Sequence, residues 1–341
     1  MGDLPDLTGR TSRLMANNQQ AAYDSTLSNR LTLMSGAPTM SDIRFHRPIL
    51  VTGASTGIGR AATVRLAGLG HPVFATARRS EDLEQLGSIR NVTPIRLDVR
   101  SPADVTIARN IVQDAGMGLY AVVNNAGVGG IGPIASFTDE EVRDLFEINV
   151  FGVVRLTRAF LPLLLESGGR AIIVGSMGGS ISMKYYAPYT MTKHAMEAFV
   201  TALDLEIRPH GARAAIIQPG AVATAIFETT QEADRQRFLR APAPFDQEAR
   251  EVLAGFDDDG GFDPTQPESA TNRKLSPPEA VADAIQMVLD APDPPLRTLV
   301  GTRWEGNRVL DALLQRVARA NDCPSLGYTR AELVERFERF L

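Results

Sequence analysis

Pro48-Ile49-Leu50-Val51-Thr52-Gly53-Ala54-Ser55-Thr56-Gly57-Ile58-Gly59 is the stretch on which the fold turns. It opens with a short, wholly apolar run, the pattern of a strand buried on both faces. Glycines at 53, 57 and 59 follow, and glycine allows tight or positive-φ backbone and a close approach of main chain to a ligand. A helical pattern then covers residues 60–69. A strand, a glycine-rich turn and a helix in that order aim free N–H groups and the positive end of a helix dipole at one point. That arrangement suits an anion such as a pyrophosphate. The spacing is G-x-x-x-G-x-G rather than the commoner G-x-G-x-x-G.

Outward from this turn, strands and helices alternate. Apolar runs at residues 72–76, 93–97, 121–123, 171–174, 213–217 and 298–300 read as further strands. Ser101-Pro102 opens one helix, with serine as N-cap and proline at the first helical position. Thr138-Asp139-Glu140-Glu141 is a capping box that starts a long one. Residues 189–207 read as helix, and Ser276-Pro277-Pro278-Glu279 caps another. Such alternation predicts an α/β fold, a single Rossmann-type doubly wound parallel sheet with helices on both faces. Ligands of such sheets sit beyond the carboxyl ends of the strands.

Composition narrows the class. The chain has 341 residues, 44% of them hydrophobic and 22% charged, with 35 Lys and Arg against 40 Asp and Glu, a net charge of −5. The balance is that of a globular protein, and the acidic sum argues against nucleic acid or a polybasic membrane anchor as partner. A single cysteine, Cys323, leaves no intrachain disulfide and points to a reducing, cytoplasmic setting. With four histidines and that one cysteine, no metal site is expected. The longest apolar run, at residues 159–165, is interrupted by Pro162 and ends at Glu166, so no transmembrane segment is expected. Residues 1–45 read as a polar leader, either a disordered tail or an untranslated stretch before a start at Met34 or Met40. Residues 46–341 then form one domain, with a polar substrate loop at about 225–275 and a helical C-terminal segment. Asp257-Asp258-Asp259-Gly260-Gly261 lies in that loop without the spacing of a calcium site and reads as solvated.

Two further residues suggest chemistry. Tyr189 and Lys193 are four apart on a predicted helix and share a face. Tyrosine ordinarily titrates near pH ~10, too high for a base at neutral pH, and a nearby ammonium favours the phenolate. A tyrosine so tuned serves as general acid or base. Ser176, just past the fifth strand, offers a hydroxyl to hold a substrate oxygen.

Taken together, the motifs resemble the short-chain dehydrogenase/reductase family. Thr52-Gly53-Ala54-Ser55-Thr56-Gly57-Ile58-Gly59 is similar to its T-G-x-x-x-G-x-G turn, and Asn124-Asn125-Ala126-Gly127 to its N-N-A-G. Asn149, Ser176, then Tyr189-x-x-x-Lys193, then Pro219-Gly220-Ala221-Val222-Ala223-Thr224 follow in the family's order. Ser176 lies 13 residues before Tyr189, the family's spacing. The resemblance implies hydride transfer between a nicotinamide cofactor and a carbonyl or alcohol, with Asn149, Ser176, Tyr189 and Lys193 catalytic. Asn149 is implied to hold, through its main-chain carbonyl, a water that leads to the lysine. The cofactor is implied to lie on Gly53, Ser55, Thr56, Gly57, Ile58, Gly59, Asp98, Val99, Asn125, Ala126, Gly127, Tyr189, Lys193, Pro219, Gly220, Val222 and Thr224.

NAD-preferring relatives carry an acid at the end of the second strand, where it accepts from the ribose hydroxyl. Here that place is Ala77, followed by Arg78 and Arg79. A guanidinium suits a 2′-phosphate, so NADP(H) is expected over NAD(H), with Arg78 its contact. Thr56 stands where many NADP relatives place a basic residue.

Ser176, Met177, Gly178, Met183, Tyr186 and Phe227 are expected to line the substrate side, a weakly polar wall suited to a bulky ketone or alcohol. Met and aromatic residues at such places also simply pack. The segment from Ser176 to Glu197 is similar to the steroid and retinol dehydrogenase branch, which implies a lipophilic substrate. Relatives pair through helices beginning near Thr138 and Tyr189, implying a homodimer or homotetramer. The alternative is a cofactor-binding sensor that keeps the fold with little turnover.

Overall fold

The computed structural model describes residues 46–224, 226–255, 262–320 and 327–340, the side chains of Phe227, Glu228 and Ala320 excepted. The leader at 1–45, the Asp257–Gly261 stretch and Cys323 lie outside the described residues.

The first strand, β1 (Ile49–Val51), has no exposed residue. Helix α1 (Gly57–Gly68) leaves it through the glycine turn and begins three residues earlier than the apolar periodicity predicts, because Gly57-Ile58-Gly59 itself forms the first turn. Then come β2 (Val73–Ala77), α2 (Ser80–Gly87), β3 (Val92–Arg96), α3 (Pro102–Asp114) and β4 (Ala121–Asn124). Ser101 caps α3 by accepting from the Asp104 N–H at 3.1 Å. The Thr138 capping box starts α4 (Asp139–Phe146) with both of its reciprocal bonds. A π-helical turn, Glu147–Gly152, carries the chain directly into α5 (Val153–Ser167). The chain continues through β5 (Arg170–Val174), α6 (Ala187–Ile207) and β6 (Arg213–Pro219) to α7 (Ile226–Leu239) and α8 (Asp246–Ala254). It then runs through α9 (Pro278–Asp290), β7 (Arg297–Val300), α10 (Arg303–Ala320) and α11 (Arg330–Glu338).

All seven strands are parallel, in the order β3-β2-β1-β4-β5-β6-β7. The chain winds one way from β1 to β3 and the other way from β4, so a crevice opens at the carboxyl ends of β1 and β4. The register there is Ile49 opposite both Val73 and Ala121. Strands covered on both faces account for the apolar runs: Ala121, Val122 and Val123 have no exposure either.

The continuous helix Asp139–Ser167 has 29 residues and is long and apolar enough, by length and composition only, to cross a membrane. Its inward stripe, Leu156, Phe160 and Leu164, is fully buried, and it carries the buried Asn149.

Two readings are corrected. Residues 225–275 are not one polar loop but carry α7 and α8. The polarity misled because Asp234 and Arg237 on α7 are buried, paired with each other, and satisfied by the Ile131 N–H and by Glu141. Ser276 is not the cap of α9, whose N-cap is Pro277 without a side-chain bond. The main chain of Ser276 is instead paired to Ala221 and Ala223.

Candidate active site

The crevice holds a cavity of about 490 Å³ that runs from the β2 end, past the glycine turn, to Tyr189. Its wall includes the expected cofactor residues from Gly53 to Thr224 except Gly59, which packs behind the turn, and Ser176, Met177, Gly178, Met183 and Tyr186 beyond them. The side chain of Phe227 lies outside the described residues.

The glycine turn is shaped by contact. Gly53 and Gly57 have φ of 60° and 51°, the left-handed region in which side chains are strained. A Cβ on Gly59 would lie 2.2 Å from the Gly53 carbonyl oxygen and 2.5 Å from the Asn125 amide nitrogen. One on Gly57 would lie 3.0 Å from the Thr224 methyl, so the two ends of the expected cofactor set meet there. Thr56 makes no side-chain cap and the first turn of α1 has no acidic residue. Its N–H groups therefore favour an anion.

Asn125 acts through its amide on the turn rather than into the cavity. It donates to the carbonyls of Thr52 at 2.9 Å and Gly53 at 3.0 Å. At the end of the cavity beyond β3, Arg100 grips the Asp98 carboxylate at 2.7–3.2 Å, and these bonds hold that carboxyl below its usual range. Val99 is buried and accepts from Arg155 through its carbonyl at 2.7 Å. Arg79 is engaged with Glu81 and Asp82, each at 3.6 Å. Arg78, exposed on the wall, has no ion pair among the described residues.

The four catalytic candidates converge. Asn149 sits in the π-helical turn, 2% exposed, and clasps the Val128 peptide: its Oδ1 accepts from the N–H and its Nδ2 donates to the carbonyl, both at 2.9 Å. A third bond runs from Nδ2 to Thr192 at 3.2 Å. A polar group between Ile148 and Val150 needs partners when buried, and it has them. A Cβ on Gly127 would lie 3.2 Å from Asn149 Oδ1 and 3.9 Å from Lys193 Nζ, so these groups are neighbours. Lys193 Nζ donates to the Val174 carbonyl at 3.3 Å and stands 5.6 Å from the centre of the Tyr189 ring. Burial brings Lys193 down to about 8. Burial pushes the Tyr189 phenol up, while a hydrogen bond with Ser176 pulls it back down. Ser176 Oγ also accepts from the Gly178 N–H at 3.0 Å.

Met177 reaches the wall but is 4% exposed and packs with Ile181 and Val309, so much of its side chain is core. Sequence reasoning missed Arg100, Ile131, Thr230, Asp234 and Arg273, all on the wall. None belongs to a local motif; only the fold brings them in. No cluster of metal-ligating side chains exists among the described residues.

Comparison with known proteins agrees with this geometry. A family model, short chain dehydrogenase, matches residues 47–235. The chain is 37% identical over 201 residues to the Bacillus subtilis protein named uncharacterized oxidoreductase YusZ, covering 57% of this chain and 70% of that one. A short-chain dehydrogenase structure from Streptomyces avermitilis superposes with a TM-score of 0.65 at 30% identity, over 81% of this chain and 96% of that one. Actinorhodin polyketide ketoreductase, solved with NADPH, gives 0.62 at 27% identity, over 78% and 98%. The chain belongs to the short-chain dehydrogenase family and is an oxidoreductase with a nucleotide-binding Rossmann fold.

Gly59→Val is expected to abolish binding of NADPH and NADH, measured by fluorescence titration, because its side chain would displace the Gly53 carbonyl and the Asn125 side-chain amide that shape the turn. Wild-type affinity in a folded Gly59→Val protein would exclude the turn as the binding site.

Proposed function

We propose that this chain is an NADP(H)-dependent oxidoreductase for a lipophilic carbonyl or alcohol, with Tyr189 as its general acid and base. The observation that carries the reading is the convergence of Ser176, Tyr189 and Lys193 on the end of one cavity. When bound there, a nicotinamide dinucleotide supplies or accepts the hydride.

The residues do the rest. Ser176 offers a hydroxyl to orient the substrate oxygen. The raised phenol of Tyr189 is protonated at neutral pH, which suits it to give its proton to that oxygen in the reductive direction. The Lys193 ammonium, mostly charged below about pH 8, favours the phenolate left behind. The π-helical turn at Asn149 supports the relay role of its main chain, since such turns recur at functional sites. Val128, Ile131, Met183, Tyr186 and Ile226 supply an apolar wall beyond Tyr189, which supports a lipophilic substrate.

Tyr189→Phe is expected to lower kcat by about 10²–10⁴-fold, the usual reach of general acid catalysis, with NADPH affinity unchanged. The assay is NADPH oxidation across a panel of lipophilic ketones. Near wild-type kcat in the variant would refute the role of Tyr189. Tight NADPH binding by the wild type with no oxidation across the panel would favour the sensor reading.

Cofactor preference rests on Ala77, 4% exposed where an acid would sit, and on Arg78, which has no ion pair among the described residues. A charge-assisted bond to phosphate is worth about 1.5–3 kcal/mol, or roughly a 10- to 150-fold preference for NADP(H) in kcat/KM. Ala77→Asp with Arg78→Ala should reverse it, because the carboxylate repels phosphate and accepts from a free hydroxyl. Equal wild-type use of NADPH and NADH, or no reversal, would show that the ribose pocket lies elsewhere.

The assembly is proposed to be a homodimer or homotetramer. The outer face of α4 and the π-helical turn carries a groove in which Val142, Phe146 and Phe151, the last 52% exposed, alternate with Arg143, Asp144 and Glu147. Phe151→Asp is expected to shift the mass from light scattering toward the monomer; a monomeric wild type at micromolar concentration would rule the assembly out.

A further inference from the structure

We infer that Glu305 is a positioning residue for the cofactor: its buried side chain fixes the main chain of Gly220 and Ala221, which wall the cavity near Tyr189 and Lys193. The inference rests on the cavity holding a nicotinamide dinucleotide.

Glu305 lies in the first turn of α10, beyond the family's motifs, yet it has no solvent exposure. Its Oε1 accepts from the Ala221 N–H at 2.7 Å and from the Arg273 guanidinium. Its Oε2 accepts from the Thr302 N–H at 3.0 Å, and Thr302 returns a bond to the Glu305 N–H at 3.3 Å. The cradle is shaped to the carboxylate. A Cβ on Gly220 would lie 2.1 Å from Oε2, and one on Gly301 would lie 2.4 Å from it. Both positions need glycine for room.

What Glu305 holds is one wall of the site. Val174 is opposite Ile217, and the Gly175 N–H donates to the Ile217 carbonyl at 2.8 Å. The chain that leaves β6 at Pro219 is thus beside the chain that leaves β5 toward Ser176. Lys193 is bonded to Val174 at the same end. Pro219, Gly220, Ala221 and Val222 face the cavity there, at the end away from Arg78. The segment is held from three sides: Gly220 donates to Val300 at 2.8 Å, Ser276 brackets it through Ala221 and Ala223, and Glu305 takes the Ala221 N–H. The two main-chain ties use whatever residues are present. The Glu305 tie depends on one side chain and on Arg273, itself a wall residue, to balance its charge in a buried place.

The nicotinamide end of the dinucleotide is the part that reaches Tyr189. A displaced Gly220–Ala221 main chain would therefore cost nicotinamide contacts and leave the adenosine and pyrophosphate contacts intact. The test uses the full chain and calorimetric titration with NADPH, 2′-phospho-ADP-ribose, NADH and ADP-ribose. Glu305→Gln keeps the shape and removes the charge and one acceptor. Gly301→Ala keeps Glu305 but crowds Oε2, so it decides the matter if Glu305→Gln does not fold. The expected result in either variant is a loss of about 10-fold in affinity for the preferred dinucleotide, with its nicotinamide-free fragment bound as in the wild type. Unchanged fragment binding also certifies the fold. Equal weakening of dinucleotide and fragment, or weakening of neither, would overturn the inference while leaving the cavity as the cofactor site. A wild type that binds neither dinucleotide would overturn both.

Discussion

The pinning of β1 to β4 at their carboxyl ends is the constraint on which the rest of the site depends. Thr52 Oγ1 accepts from the Asn125 and Ala126 N–H groups, each at 3.0 Å, while Asn125 returns its amide to the Thr52 and Gly53 carbonyls. Strands that diverge in winding at this point would otherwise leave main-chain groups unpaired in a buried place. The side-chain bonds satisfy those groups and also set the width of the crevice. The glycine turn can then pass close by, because Gly59 brings no Cβ to the Gly53 carbonyl.

Beyond the pinned strands, burial rather than proximity alone sets the electrostatics. Lys193 is 8% exposed and its ammonium has one carbonyl partner, Val174. Loss of hydration makes the charged lysine and the charged phenolate both costly in the resting cavity. Tyr189 therefore rises and Lys193 falls, which leaves a neutral phenol facing a cation that titrates near the working range. Asn149 contributes by rigidity. Its amide clasps Val128 at both ends, so the wall between the glycine turn and Lys193 has little freedom.

The cavity wall beside α7 is built on different terms. α7 is held over the cavity by buried charge: Arg237 pairs with Asp234 and Glu141, and stacks at 4.5 Å on Phe137. Breaking one partner of such a network leaves a buried charge uncompensated. The network thus ties α7 to the start of α4, the helix that leads through the π-helical turn to Asn149. The cavity wall beside α7 and the turn that carries Asn149 are linked through Glu141.

The parallel sheet, the glycine turn, the capping of α3 and α4, and the Ser176, Tyr189 and Lys193 set were legible in the residues themselves. Each is a local pattern: apolar runs, glycine spacing, a cap three residues from its partner, a tyrosine and lysine one helical turn apart. The motif order added what no single pattern carried. α7 was illegible because its polar residues are satisfied by Ile131 and Glu141, about a hundred residues away along the chain. Ser276 was misread because its main chain answers to Ala221 rather than to its own helix. Arg78 and Arg79 look alike in sequence, and only the fold turns Arg79 to Glu81 and Asp82 while Arg78 stays on the cavity wall. Glu305 and Arg273 had no local signal at all. Sequence periodicity reports which face of an element is buried, but a buried polar group is explained only by its partner, and the tertiary fold chooses that partner.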